Sequence, residues 1–202
     1  MGQALCSLML LLSLAFPVTP NQVPQPPTKE ALLVGDSVMA VMATNNEGLK
    51  LLARQHPFIL RAVSCQKLIS VGCTKRAKES SLALLRTNRG KFSRVVVVAT
   101  GYNDFDDASF PRAIAAISTE SSRQGVLVLW LTYREEGSVK KKAISYNAQL
   151  RKFLLTVPNL HLLDWNKISQ GHDSWFTKDK IHMNGSGGLE MAKAISKAID
   201  NL

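Results

Sequence analysis

The chain has 202 residues, 46% of them hydrophobic and 20% charged, with a formal charge of +10 at neutral pH. A chain of this length buries one complete hydrophobic core, so a single compact domain is expected. The positive charge favours an anionic neighbourhood, but no helix-turn-helix, zinc or aromatic RNA-binding signature accompanies it, which excludes a nucleic-acid partner. No cysteine or histidine cluster has metal-ligand spacing, and no metal site is expected.

The first 28 residues carry no charged side chain, and residues 4–16 (ALCSLMLLLSLAF) form an apolar run that ends at Pro17. That run is too short to span a bilayer comfortably and has the length of a signal-peptide core. Met1-Gly2-Gln3 offers only the α-amino group as positive charge, so a cleaved leader and an uncleaved anchor, the chain's one route to a membrane, both fit. Residues 1–20 are read as this leader and 21–28 as a linker, since residues 17–28 hold five prolines, which disfavour both helix and central strand. The folded domain then covers 29–202. A secreted or cell-surface location follows, with anionic wall polymers or lipid headgroups as partners for the charge.

From Lys29 onward, apolar runs of strand length alternate with amphipathic stretches, the pattern of a parallel sheet covered by helices. The spacing predicts strands at 31–35, 58–63, 93–99, 125–131 and 160–163. Helices are expected at about 38–54, 78–87, 109–123 and 141–156, with a last one from about 185 to the end. In an open parallel sheet the binding site lies outside the carboxyl ends of the strands. The first strand runs into Asp36-Ser37 and then a helical stretch, so Ser37 sits where unsatisfied N–H groups and the helix dipole favour an oxyanion. A plain N-cap is the alternative. After the second strand come Cys65 and Cys73, an even pair once the leader with Cys6 is set aside. Bridged, they would close a short loop and contribute about 2–3 kcal/mol, and two reduced cysteines are the other possibility.

The third strand delivers Gly101-Tyr102-Asn103-Asp104, where the Asn103 amide is either an oxyanion donor or a turn residue. The fourth strand carries Trp130-Leu131-Thr132-Tyr133-Arg134-Glu135, with Trp130 in the core pattern. At its end Tyr133 and Arg134 are candidate substrate contacts, Arg134 alternatively pairing with Glu135 or Glu136. Trp175 offers an aromatic face for an acyl or sugar group, with core packing as the competing account. Before the last helix, Asp179-Lys180-Ile181-His182 puts an acid three residues ahead of a histidine on a loop. A serine hydroxyl needs a base to take its proton, and a carboxylate can orient that base. His56, His161 and His172 lack such an arrangement and read as structural or solvated.

Taken in order, Gly35-Asp36-Ser37, Gly101-Tyr102-Asn103-Asp104 and Asp179-x-x-His182 resemble the blocks of the SGNH or GDSL hydrolase family. The resemblance covers the whole domain and extends, in Trp130–Glu135 and Asp164-Trp165, to secreted actinobacterial SGNH domains and those of cell-wall O-acyltransferases. It implies a three-layer α/β/α sandwich with a five-stranded parallel sheet, the flavodoxin-like fold of that family. It further implies Ser37 as nucleophile and backbone oxyanion donor, His182 as base, Asp179 as orienting acid and Asn103 as a second oxyanion donor. The family's glycine after the second strand is missing, and the backbone of Cys65, or of Ser64 or Gly72, is expected to stand in for it. The implied activity is hydrolysis of short acyl esters, with O-acetyl groups on wall carbohydrate or an acylated small molecule as the expected substrates, without a cofactor. Transfer of the acyl group to a sugar hydroxyl, or a non-catalytic basic wall-binding module, are the other readings.

Overall fold

The computed structural model describes residues 29–104 and 107–202, so the expected leader and linker lie outside the described residues. Five parallel strands, β1 (Ala31–Gly35), β2 (Phe58–Ala62), β3 (Val95–Ala99), β4 (Leu127–Leu131) and β5 (Leu160–Leu163), form one sheet in the order β2-β1-β3-β4-β5. The sequences ALLVG and VVVVA are apolar throughout because β1 and β3 are buried on both faces, as parallel strands covered by helices must be. β2, at the sheet edge, is only partly buried and tolerates Arg61.

Among the described residues, seven helices clothe the sheet: α1 (Ser37–Ala40), α2 (Asn46–Gln55), α3 (Ser81–Thr87), α4 (Phe110–Arg123), α5 (Lys140–Leu154), α6 (Trp165–Ile168) and α7 (Gly185–Asp200). Alternate strand residues point to opposite faces. Leu32, Val96, Val128 and Trp130 pack with α3, α4 and α5, through Leu85, Ile114 and Tyr146 among others. Leu33, Val97 and Leu129 pack with α1, α2 and α7, through Met39, Leu52 and Ile195. The result is a three-layer α/β/α sandwich.

The expected helix at 38–54 is in fact interrupted. After α1 the chain tightens into a 3₁₀ turn, Val41–Thr44, in which the Thr44 hydroxyl donates back to the Val41 carbonyl at 2.9 Å. Asn45 then leaves helical geometry, and its side chain accepts from the Gly48 N–H at 2.8 Å to cap α2. The same amide donates to the Gly185 carbonyl at the start of α7, a contact across 140 residues that local periodicity does not reveal. α6 was also unforeseen; it is one short turn capped by Asp164, which accepts from the Lys167 N–H at 3.3 Å.

Strand register levels the rim on which the site is built. Gly35 pairs with Ala62 on one side and Ala99 on the other, so β1, β2 and β3 end together. The chain leaves β1 for β2 in one direction and returns past β1 to β3, making the β1–β3 boundary the switch point where such sheets form a crevice. At the opposite end, buried His56 lies 3.0 Å from Glu30 through Nδ1, and its Nε2 lies 3.2 Å from Asp200 without hydrogen-bond alignment. That structural role, tying β1, α2 and α7 together, matches the reading of this histidine from sequence.

Candidate active site

α1 starts immediately at the end of β1, separated only by Asp36. A side chain at Gly35 would place its Cβ 2.4 Å from that of Met39, so the close approach of strand and helix needs glycine there. Asp36 is fully buried; it accepts from the Val38 N–H at 3.0 Å, as an N-cap, and from the N–H groups of Gly101 and Tyr102 at 3.2 and 3.3 Å. One carboxylate thus fastens the loop after β3 to the loop after β1. Burial pushes this carboxyl up to about 6, against the opposing pull of its three N–H donors.

Its folded value is therefore above the ordinary 3.8, and the folded state holds the proton more tightly than the unfolded chain does. The stabilisation from this linkage is full below about pH 4 and lost as pH rises through about 6, a change of up to about 3 kcal/mol. The unfolding free energy of the wild type minus that of Asp36→Asn should fall by about this amount between pH 4 and pH 7. Denaturant titrations at the two pH values check it, and a flat difference would contradict it.

The loop before α7 is folded around Asp179. Its Oδ1 accepts from the Ile181 N–H at 2.8 Å, the His182 N–H at 2.9 Å and the Thr177 hydroxyl at 2.9 Å. Its Oδ2 lies 2.6 Å from His182 Nδ1, and His182 Nε2 lies 2.9 Å from the Ser37 hydroxyl. The turn is closed by the Thr177 N–H donating to the His182 carbonyl at 2.7 Å, with Lys180 in the left-handed region at φ 63°. What burial Asp179 has pushes its carboxyl up, but the His182 ring, the two N–H groups and the Thr177 hydroxyl hold it well below the usual carboxylate range. A carboxylate that stays ionised orders the ring so that Nδ1 donates to it and Nε2 is left to accept the Ser37 proton. Asp179 and His182 are 49% and 47% exposed, so this pair adds little to stability.

The loops after β2 and β3 hold Asn103 and Cys65, the expected oxyanion donors. Asn103 donates through Nδ2 to the Gln66 carbonyl at 3.3 Å, and that NH₂ group carries a second proton. Lys142 on α5 donates to the carbonyls of Tyr102 at 3.1 Å and Asp104 at 2.6 Å, the residues before and after Asn103. The Asp104 carboxylate accepts from the Leu68 N–H at 3.2 Å, and burial pushes it up to about 6. Cys65 and Cys73 form a disulfide with Cα atoms 5.4 Å apart, and Cys65 is left-handed at φ 69°. Among the described residues, no group of three or more His, Cys, Asp or Glu could hold a metal ion.

Tyr133 and Arg134, the expected substrate contacts, are both buried. Tyr133 is buried; its hydroxyl donates to the Thr100 carbonyl at 2.6 Å and accepts from Trp130 Nε1 at 3.1 Å, while its ring meets Tyr102 edge-on at 5.1 Å. Gly101 at φ 144° exists to admit it, since a Cβ there would lie 2.2 Å from that hydroxyl. Arg134 is also buried, and it pairs with neither Glu135 nor Glu136. It donates to Asp173 at 2.5 Å and to the Ser169 carbonyl at 3.2 Å, with its guanidinium 3.7 Å above the Phe176 ring. Both side chains brace the loops around the crevice. Trp175 is half-buried between Trp165 and His172, whose ring stacks on it at 4.0 Å. Asp36 and Lys142, which orient the loops, were missed. A carboxylate two residues before Val38 is an N-cap signal, but its partners at 101 and 102 are invisible locally.

A small apolar pocket of about 10 Å³, lined by Val38, Tyr102, Leu131, Tyr133, Trp165 and Met191 among others, lies beside these loops.

No protein-family model matches the chain. A stretch of 41 residues, 20% of this chain and only 7% of the relative's length, is 44% identical to a Staphylococcus aureus protein named as a putative O-acetyltransferase. Solved structures match over much more. The C-terminal catalytic domain of Streptococcus pneumoniae peptidoglycan O-acetyltransferase A aligns over 86% of this chain and 93% of its own, at 18% identity and a TM-score of 0.64. A GDSL-like lipase from Bacteroides thetaiotaomicron aligns over 86% and 88%, at 16% identity and a TM-score of 0.65. At such identities the likeness is one of fold, and the chain has the α/β/α fold of the SGNH/GDSL hydrolases.

Proposed function

We propose that the protein is an exported serine esterase that removes short acyl groups, acetyl above all, from carbohydrate esters of the cell wall. The observation that carries this reading is the unbroken relay from Asp179 through His182 to Ser37, at 2.6 and 2.9 Å. Ser37 attacks the ester carbonyl while His182 Nε2 takes its proton, and Asp179 stabilises the imidazolium that forms. The tetrahedral oxyanion is held by the Ser37 N–H, the Asn103 amide and the Cys65 N–H. His182 then protonates the departing alcohol, and water attacks the acyl-enzyme by the same route in reverse.

Two features support a small acyl group on a large carrier. The apolar pocket, at about 10 Å³, has room for little more than one water-sized group, which matches a methyl. His182 and Asp179 are about half exposed, so the relay is open to an ester displayed on a polymer. Export is supported by the apolar leader and by the Cys65–Cys73 disulfide, a bond that persists in oxidising compartments.

A second reading is O-acyl transfer, in which a sugar hydroxyl replaces water as acceptor. It is favoured by the 41-residue similarity to a protein named as an O-acetyltransferase. Aryl acetate supplied to the domain, with and without a deacetylated wall glycan, separates the readings. Free acetate in both mixtures is the expected result. Acetylated glycan in place of free acetate would make the protein a transferase. No turnover of any short acyl ester would leave it a basic binding module.

A further inference from the structure

The sheet edge next to the crevice carries a second candidate site. A groove of about 240 Å³ is lined by Arg61, Gln66, Arg76, Lys78 and Glu79, over the apolar Val63 and Leu84. Three cations face one carboxylate there, and among the described residues none of these cations forms an ion pair. At its base, Gln66 is 1% exposed and its Nε2 has no hydrogen-bond partner. A buried donor without an acceptor costs about 1–3 kcal/mol, which a ligand oxygen would recover.

The loop that holds these groups is prearranged. The disulfide closes it, the Cys73 N–H donates to the Cys65 carbonyl at 3.2 Å, and the Gly72 N–H to the Ala77 carbonyl at 3.0 Å. Buried Ala77 anchors the turn between exposed Arg76 and Lys78. A loop backbone fixed before binding need not be ordered when an anion arrives. The groove also touches the catalytic side directly, because the Gln66 carbonyl receives the Asn103 amide.

We infer that this groove is an anion subsite, in which Arg61, Arg76, Lys78 and Gln66 bind a phosphate or carboxylate oxyanion carried by the same glycan that presents the ester to Ser37. Charge-assisted donors lining one groove suit either oxyanion, a planar guanidinium fitting both in bidentate fashion. The inference rests on the esterase reading for its substrate but not for its binding.

Calorimetric titration of the intact domain with glycerol phosphate and with glucuronate tests the binding and tells the two oxyanions apart. Saturable binding of at least one is expected, weakened at least tenfold in the exposed double variant R76Q/K78Q and by molar salt. Hydrolysis of paired acetyl esters, one bearing that oxyanion and one neutral, should favour the charged ester about tenfold in kcat/KM, and the preference should collapse in R76Q/K78Q. Binding without turnover of either ester would overturn the esterase reading and leave the subsite standing. Turnover with no binding and no preference would overturn the subsite and leave the esterase. A thermal transition in R76Q/K78Q like that of the wild type excludes misfolding as the cause.

Discussion

Replacing either Ser37 or His182 with alanine is expected to lower kcat for aryl acetate hydrolysis by about 10⁴-fold or more, with the double variant no slower than either single one. The reason is mechanical. Ser37 and His182 share one proton path, at 2.9 Å, and removing either end abolishes the same event. Independent contributors would multiply their losses, whereas members of one unit do not. Folding should be untouched, since Ser37 is part-exposed and His182 exposed, and surface substitutions of this kind stay within about 0.5 kcal/mol. Spectrophotometric kinetics of the three variants, with thermal unfolding as control, read this out. Losses that multiply in the double variant would show that the two side chains act separately.

Asn103→Ala is expected to cost about 10²- to 10³-fold in kcat with KM little changed, about 3–4 kcal/mol of barrier lowering. The amide donates one proton to the Gln66 carbonyl, while Lys142 fixes the carbonyls of Tyr102 and Asp104 to either side. The second amide proton is thereby aimed in advance, and a donor that acts only on the transition state appears in kcat alone. Separate measurement of kcat and KM is the check. A rise in KM with kcat preserved would make Asn103 a substrate-binding residue instead.

Some of this was legible in the sequence because it depends on local order. ALLVG and VVVVA announce strands buried on both faces, and Asp179-x-x-His182 needs only its own turn to bring acid and base together. Other features depend on partners far along the chain. The break at Asn45 is fixed by its contacts with Gly48 and Gly185. Tyr133 and Arg134 sit at a strand end where substrate contacts are expected, and only Thr100, Asp173 and Phe176, brought in from other loops, show them to be buried braces. Asp36 likewise takes its partners Gly101 and Tyr102 from a loop 65 residues further along, and this role is not visible in its own segment. Exposure at a strand end is set by tertiary packing, which periodicity does not encode.

Ser37 is the residue expected to carry the acyl group. Intact mass measurement after incubation with a sulfonyl or phosphonyl fluoride, followed by peptide mapping, tests it without knowledge of the natural ester. One adduct per chain is predicted, on the peptide containing Ser37, absent from Ser37→Ala and slowed in His182→Ala. An adduct on another residue, or full loss of esterase activity with Ser37 unlabelled, would contradict it.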